Sequence, residues 1–288
     1  MSAAANTRTW IVEQPWRTWT NQAMTIARID LGRGLFSRRA WWVYLMAFAP
    51  VALIGAHWIV DSAQRSGGYL EEDTKVLAGI FQIYYMRLGI FFACMGIFTW
   101  LFRGEVAEKS LHYQFLVPVR REVLVIGKFL SGAFTAFVLF ETAVFSSFIL
   151  MYMHFGPLGS AFIFDGPGMR HLWMYLLVTA LACVGYGSVF LALSLVFRNP
   201  IIPGLLVMAW EAINPIMPAI LQKLSVAFYL RNLCPVQLPA EGLLALFTVV
   251  ATPVPAVVAV LGLLCVTAAV IVFACLRIRT FEITYSTD

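Results

Sequence analysis

A chain of 288 residues that is 61% hydrophobic and only 12% charged cannot close around one soluble core, because soluble domains run near about 45–50% apolar and about 25% charged. Lipid must solvate much of its surface. The net charge of +5 is scattered along the chain and gathers into no basic patch, which excludes a nucleic-acid footprint.

Residues 1–15 read as a cytoplasmic tail, and the first 40 residues lack the short apolar core and small-residue cleavage site of a signal peptide. Over 16–40, Trp16, Trp19, Ala23 and Ile26 fall on one helical stripe, and Arg17, Asn21, Thr25 and Arg28 on its neighbour. Tryptophans beside arginines suit an amphipathic helix lying in the headgroup plane. Crossing hydrocarbon takes about 20 mostly apolar residues, and six segments qualify: 41–60, 76–102, 123–153, 172–197, 200–222 and 254–276. The expected fold is therefore an all-α integral membrane protein with a six-span domain over 41–276. The third span is long enough to tilt or to project beyond the lipid.

Between the second and third spans lies a charged loop, 103–121, an ionic island in an otherwise apolar stretch and a natural handle for a soluble partner. Residues 223–252 are apolar but broken by Pro235 and Pro239 and bounded by Pro253 and Pro255. Short helices re-entering the outer leaflet fit such a segment, since irregular backbone is tolerated at depth when packed against protein. Residues 277–288 form the C-terminal tail.

Basic residues orient the chain. Fourteen of the 20 lysines and arginines fall in the N-terminal segment, the 103–128 region, the fourth loop and the tail, whereas five fall on the other side and Arg87 lies inside a span. Both termini are thus expected in the cytoplasm.

Little in the chain supports an enzyme. Gly127-Lys128 is followed by Phe129, so there is no P-loop, and neither H-E-x-x-H nor G-x-S-x-G occurs. Gly185-Tyr186-Gly187-Ser188 reads as small residues allowing close helix packing. Four of the five cysteines (Cys94, Cys183, Cys265, Cys275) sit in apolar runs with no C-x-x-C spacing, so neither a metal site nor a disulfide framework is expected. Arg87, Glu141 and Glu211 lie inside spans at similar depth, where each costs about 2.5–3.5 kcal/mol if left facing lipid. Arg87 and Glu141, on antiparallel neighbouring spans, are placed to pair. Glu211, beside Asn214, Pro203, Pro215 and Pro218, marks a kinked segment and a possible pathway residue.

Glu105-Val-Ala-Glu108-Lys-Ser-Leu111, then Leu116-Val-Pro118-Val-Arg120, then Gly127-Lys128, resembles the pattern of the type-two ABC-transporter permeases. The layout of interfacial helix, six spans and apolar segment before the last span is similar as well. Where the family often has Gly-Thr before the leucine, this chain has Lys109-Ser110. The resemblance implies an export permease subunit with no ATPase site of its own. A separate ABC ATPase subunit, holding ATP and Mg, would dock on Glu105, Glu108, Leu111, Pro118, Val119 and Arg120, and Lys128 would anchor the third span at the headgroups. It also implies a second copy or a paired permease, in contact with membrane lipid. Two other readings stay open: an ion- or proton-coupled carrier using Arg87, Glu141 and Glu211, and a non-transporting membrane scaffold.

Overall fold

The computed structural model describes residues 15–36, 40–64, 69–110, 114, 116–117, 119–153, 155–236 and 254–281, and every regular element among them is helical. Helix α1 is Trp16–Phe36 and α2 is Trp41–Gln64. The long α3, Leu70–Ala107, has π-helical stretches at Ile80–Gly89 and Trp100–Gly104. Helix α4 is Arg121–Met153, the short α5 is Pro157–Phe164, and α6 is Gly168–Val196. Helix α7, Ile201–Ile213, is followed by the short α8, Ala219–Gln222, then α9, Val226–Leu233, and α10, Ala256–Arg277.

Five of these segments are long and apolar enough to cross a membrane: Trp41–Val60, Leu70–Ala107, Arg121–Met153, Gly168–Val196 and Ala256–Thr280. The chain is thus an all-helical protein of membrane-spanning character. At 33 residues, α4 extends about 50 Å and outreaches a hydrocarbon core of about 30 Å.

The expected span at 200–222 takes a different form. Its apolar helix, Ile201–Ile216, ends in the 3-10 turn Asn214–Ile216 and reaches only about 24 Å. Proline rings at Pro215 and Pro218 remove two amide donors and clash with the preceding turn, so the chain straightens at Met217 before α8 begins. Two side chains close the break: Asn214 Nδ2 donates to the Gln222 carbonyl at 3.3 Å, and Gln222 Nε2 donates to the Met217 carbonyl at 2.8 Å. Of the apolar segment at 223–252, the described part is chiefly α9, whose Val226, Leu230 and Leu233 are buried. Residues 237–253 lie outside the described set.

Helix α6 forms the centre of the bundle and packs on α3, α4 and α10. Its small residues are what let the neighbours in: Ala182 and Ser188 are buried, and a Cβ on Gly185 would stand 2.9 Å from Val226 Cγ1 of α9. Phe91 of α3 meets Phe190 and Tyr186 of α6 edge-on, with ring centroids 4.9 and 5.3 Å apart, a favourable aromatic arrangement.

Helix α1 packs most extensively on α4. Its buried residues are Ala23, Ala27 and Asp30, on one face at helical spacing, while Trp16 stays exposed. The contact needs Gly127: a Cβ there would come within 2.9 Å of the Ala23 carbonyl and of Ile26. The face that α1 buries is therefore its small-residue stripe, laid against a glycine.

Candidate functional site

The charged loop begins where α3 stops, and the stop is a Schellman turn. Ser110 N–H donates to the Glu105 carbonyl at 2.9 Å and Lys109 N–H to the Val106 carbonyl at 3.1 Å. Lys109 occupies the left-handed position of this motif, with φ of 56°, where glycine is the usual residue. The departure noted at Lys109-Ser110 thus falls on a residue whose backbone conformation favours glycine.

Beneath this turn lies a buried ionic triad. Lys128 Nζ donates to Glu105 Oε2 at 2.7 Å and to Asp30 Oδ2 at 3.2 Å. The three residues are 0%, 7% and 4% exposed, respectively. Gln114 Nε2 donates to the other Glu105 oxygen at 3.0 Å, and the Lys128 ammonium sits 5.4 Å from the Phe102 ring centroid. The triad joins α1, the end of α3 and the first turns of α4. Two sequence expectations change here. Lys128 does not reach for headgroups, because it is the enclosed counterion of two carboxylates. Glu105 does not offer its carboxylate to a docking partner, because that carboxylate is spent inside the protein.

The remaining loop residues divide by exposure. Glu108 and Arg120 are exposed and Val119 is half-buried; Leu111 and Pro118 lie outside the described residues. Arg120 places its guanidinium 4.3 Å from the Trp19 ring centroid, a cation–π contact that ties the loop's far end to α1. Leu116 is 77% exposed and Val117 is exposed beside it. Between α1 and the loop runs a cleft of about 590 Å³, bordered by Gln22, Ile26, Ile29 and Arg33 on one side and Gln114 and Val117 on the other.

Other cations at this end hold helix termini together. Arg121 Nη1 donates to the carbonyls of Arg279 and Phe281 at 3.2 and 3.3 Å, and Arg279 Nε to Glu122 Oε1 at 2.6 Å, fixing the end of α10 to the start of α4. Arg103 Nε donates to the Ser194 carbonyl of α6 at 2.8 Å. Cations over the last carbonyls of a helix are favourable for the same reason that anions favour its start.

Comparison with protein-family models and with curated proteins finds no match.

The three intramembrane charges have separate situations. Arg87 is exposed on α3, and among the described residues no hydrogen bond or ion pair joins it to Glu141. Glu141 has one carboxylate oxygen buried without a hydrogen-bond partner. The expected Arg87–Glu141 pair is thus not formed: α4 packs on the side of α3 that presents Tyr85 and Gly89, whereas Arg87 is exposed. Glu211 is fully engaged. It accepts from the Ser225 hydroxyl, from Val226 N–H at 3.1 Å and from Ala227 N–H at 3.1 Å. Those amides belong to the first turn of α9, so Glu211 is a cap supplied from another helix, and Ser225 Oγ in turn accepts from Phe228 N–H. A carboxylate there satisfies orphan donors and opposes the positive end of the helix dipole.

Sequence reading missed Asp30. It is the only acid in the Arg-rich 16–40 segment and falls three and seven residues after Ala27 and Ala23. A lone carboxylate on a small-residue stripe is the signal that could have singled it out.

Proposed function

We propose that this protein is the membrane subunit of an ABC transporter, an exporter energised by a separate ATPase subunit that holds ATP and Mg. The observation that carries the reading is the pinned loop between α3 and α4. Its motif residues divide into an inner set, Glu105, Gly127 and Lys128, and an outer set, Glu108, Val119 and Arg120. The inner set locks the loop to two membrane-length helices and to α1. The outer set borders exposed Leu116 and Val117 and the cleft beside α1. A part that must convert a push from a soluble partner into helix movement needs both properties: an open face with apolar anchors, and no slack between that face and the helices. A solvated connecting loop needs neither.

On this reading the 103–121 end and both termini face the cytoplasm of a bacterial inner membrane, and a second copy or paired permease completes the transport unit. The ion-coupled carrier has less support, because Glu211 is committed to capping α9 and Arg87 and Glu141 form no relay. Affinity purification of the tagged protein in mild detergent, with mass spectrometry of what stays bound, tests the proposal. A nucleotide-binding subunit in stoichiometric amount, lost on Arg120→Glu, is the expected result. Recovery of the protein alone, folded and free of any such subunit, would refute it.

A further inference from the structure

Helix α1 crosses α4 near its start, where Gly127 receives Ala23 and Ile26 and Lys128 meets Asp30. The cleft beside the loop follows one flank of α1, along Gln22, Ile26, Ile29 and Arg33. On the other flank, Met24, Arg28 and Leu31 border a second groove, of about 640 Å³. Three helices contribute to it: α1, α4 and, at Val184, α6. Phe129 and Ala133 of its α4 lining are buried, whereas Leu130, Phe134 and Phe137 stand exposed along it. From Phe129 to Phe137 the lining runs about 12 Å, away from the charged loop and as far as the midpoint of α4.

The groove is apolar along α4 and charged at the α1 end, where Arg28 lines it. Arg28 is exposed and makes no hydrogen bond or ion pair among the described residues. The acid two residues on, Asp30, does not neutralise it by contact, because Asp30 is buried against Lys128. Arg17 and Arg33 are exposed on the same helix, so α1 presents a positive surface at the head of an apolar slot. In a membrane any acyl chain can fill such a slot. The arginine at its mouth is what selects a headgroup, since cations beside membrane helices gather anionic lipid.

We infer that this groove binds one anionic phospholipid, its phosphate on Arg28 and an acyl chain along α4 from Phe129 to Phe137. A guanidinium fork suits phosphate oxygens in a bidentate geometry, and the exposed rings of Phe134 and Phe137 suit the chain. A lipid seated there bridges α1 and α4 beside the buried triad. The inference does not depend on the transport reading above.

Native mass spectrometry of the purified full chain in dodecyl maltoside, given dioleoyl phosphatidylglycerol and dioleoyl phosphatidylcholine in equal amounts, tests it. A single phosphatidylglycerol per chain should be retained in preference to phosphatidylcholine. Arg28→Gln should weaken that retention about tenfold, the scale of a charge-assisted hydrogen bond. Phe134→Ser should weaken it as well, and Arg33→Gln, on the other flank of α1, should leave it unchanged. If Arg28→Gln does not fold, Phe134→Ser, on the exposed edge of the groove, carries the same test. Unchanged retention in either folded variant would overturn the site, and equal retention of the two lipids would overturn its choice of an anion. Displacement of the lipid by inorganic phosphate would overturn the lipid as its ligand. A dimer that is lost on Phe134→Ser while lipid retention stays unchanged would assign the groove to a second copy and refute the proposal.

Discussion

Lys128 Nζ lies 2.7 Å from Glu105 Oε2, across the junction of α3 and α4, and neither side chain has appreciable contact with solvent. Removing one member of a buried ion pair leaves an uncompensated charge, which costs about 3–5 kcal/mol. Lys128→Met should therefore lower the thermal midpoint in detergent steeply. Combining it with Glu105→Gln and Asp30→Asn should restore most of the loss, because an apolar and neutral replacement of a whole buried set is often tolerated. A single variant that melts like wild type would remove the triad from the account.

Glu211 fixes α9 from outside. Glu211→Ala leaves the Val226 and Ala227 amides and the Ser225 hydroxyl without their acceptor, a loss of about 1–2 kcal/mol by analogy with helix caps. Hydrogen exchange should accelerate over 226–233 and stay unchanged in the middle of α4. A variant that altered transport without altering that exchange would return Glu211 to the pathway.

Arg87 and Glu141 should behave independently. In a double-mutant cycle with Arg87→Gln and Glu141→Gln, the stability effects should add within about 0.5 kcal/mol. Glu141→Leu should be neutral or stabilising, since it removes a buried oxygen that has no partner. A coupling well above that limit would mean that the two charges meet after all.

Lys109 holds a left-handed backbone that costs a non-glycine residue about 1–2 kcal/mol. Glycine relieves the strain but adds freedom to the unfolded chain, so Lys109→Gly should gain up to about 1 kcal/mol. Lys109→Val should lose stability, because a branched Cβ is worse in that region. Thermal melts of the two variants in parallel check the sign, and matching midpoints would contradict it.

The long helices were legible because hydropathy and length alone identify segments such as 41–60 and 123–153, and lipid demands both. Helix α7 was not, because an apolar run counts toward a span even where Pro215 and Pro218 break the backbone that would have crossed. The loop stood out through its charges, but their roles did not. Charge on a sequence marks Glu105 and Lys128 as surface residues. Only the fold brings Asp30 to Lys128 from 98 residues away and turns the group inward. Glu211 illustrates the same limit: two of its partners are helix amides fifteen and sixteen residues later, and backbone donors leave no trace in residue identity.

The central claim is that the outer face of the 103–121 loop is a docking surface for a nucleotide-binding subunit. Site-specific photo-crosslinking from position 117, with a second probe at position 169 near the far end of α6, tests it most directly. The account predicts a crosslink from position 117 to a nucleotide-binding protein and none from position 169. Capture of such a protein only from position 169, or from neither position while the chain remains folded, would contradict it.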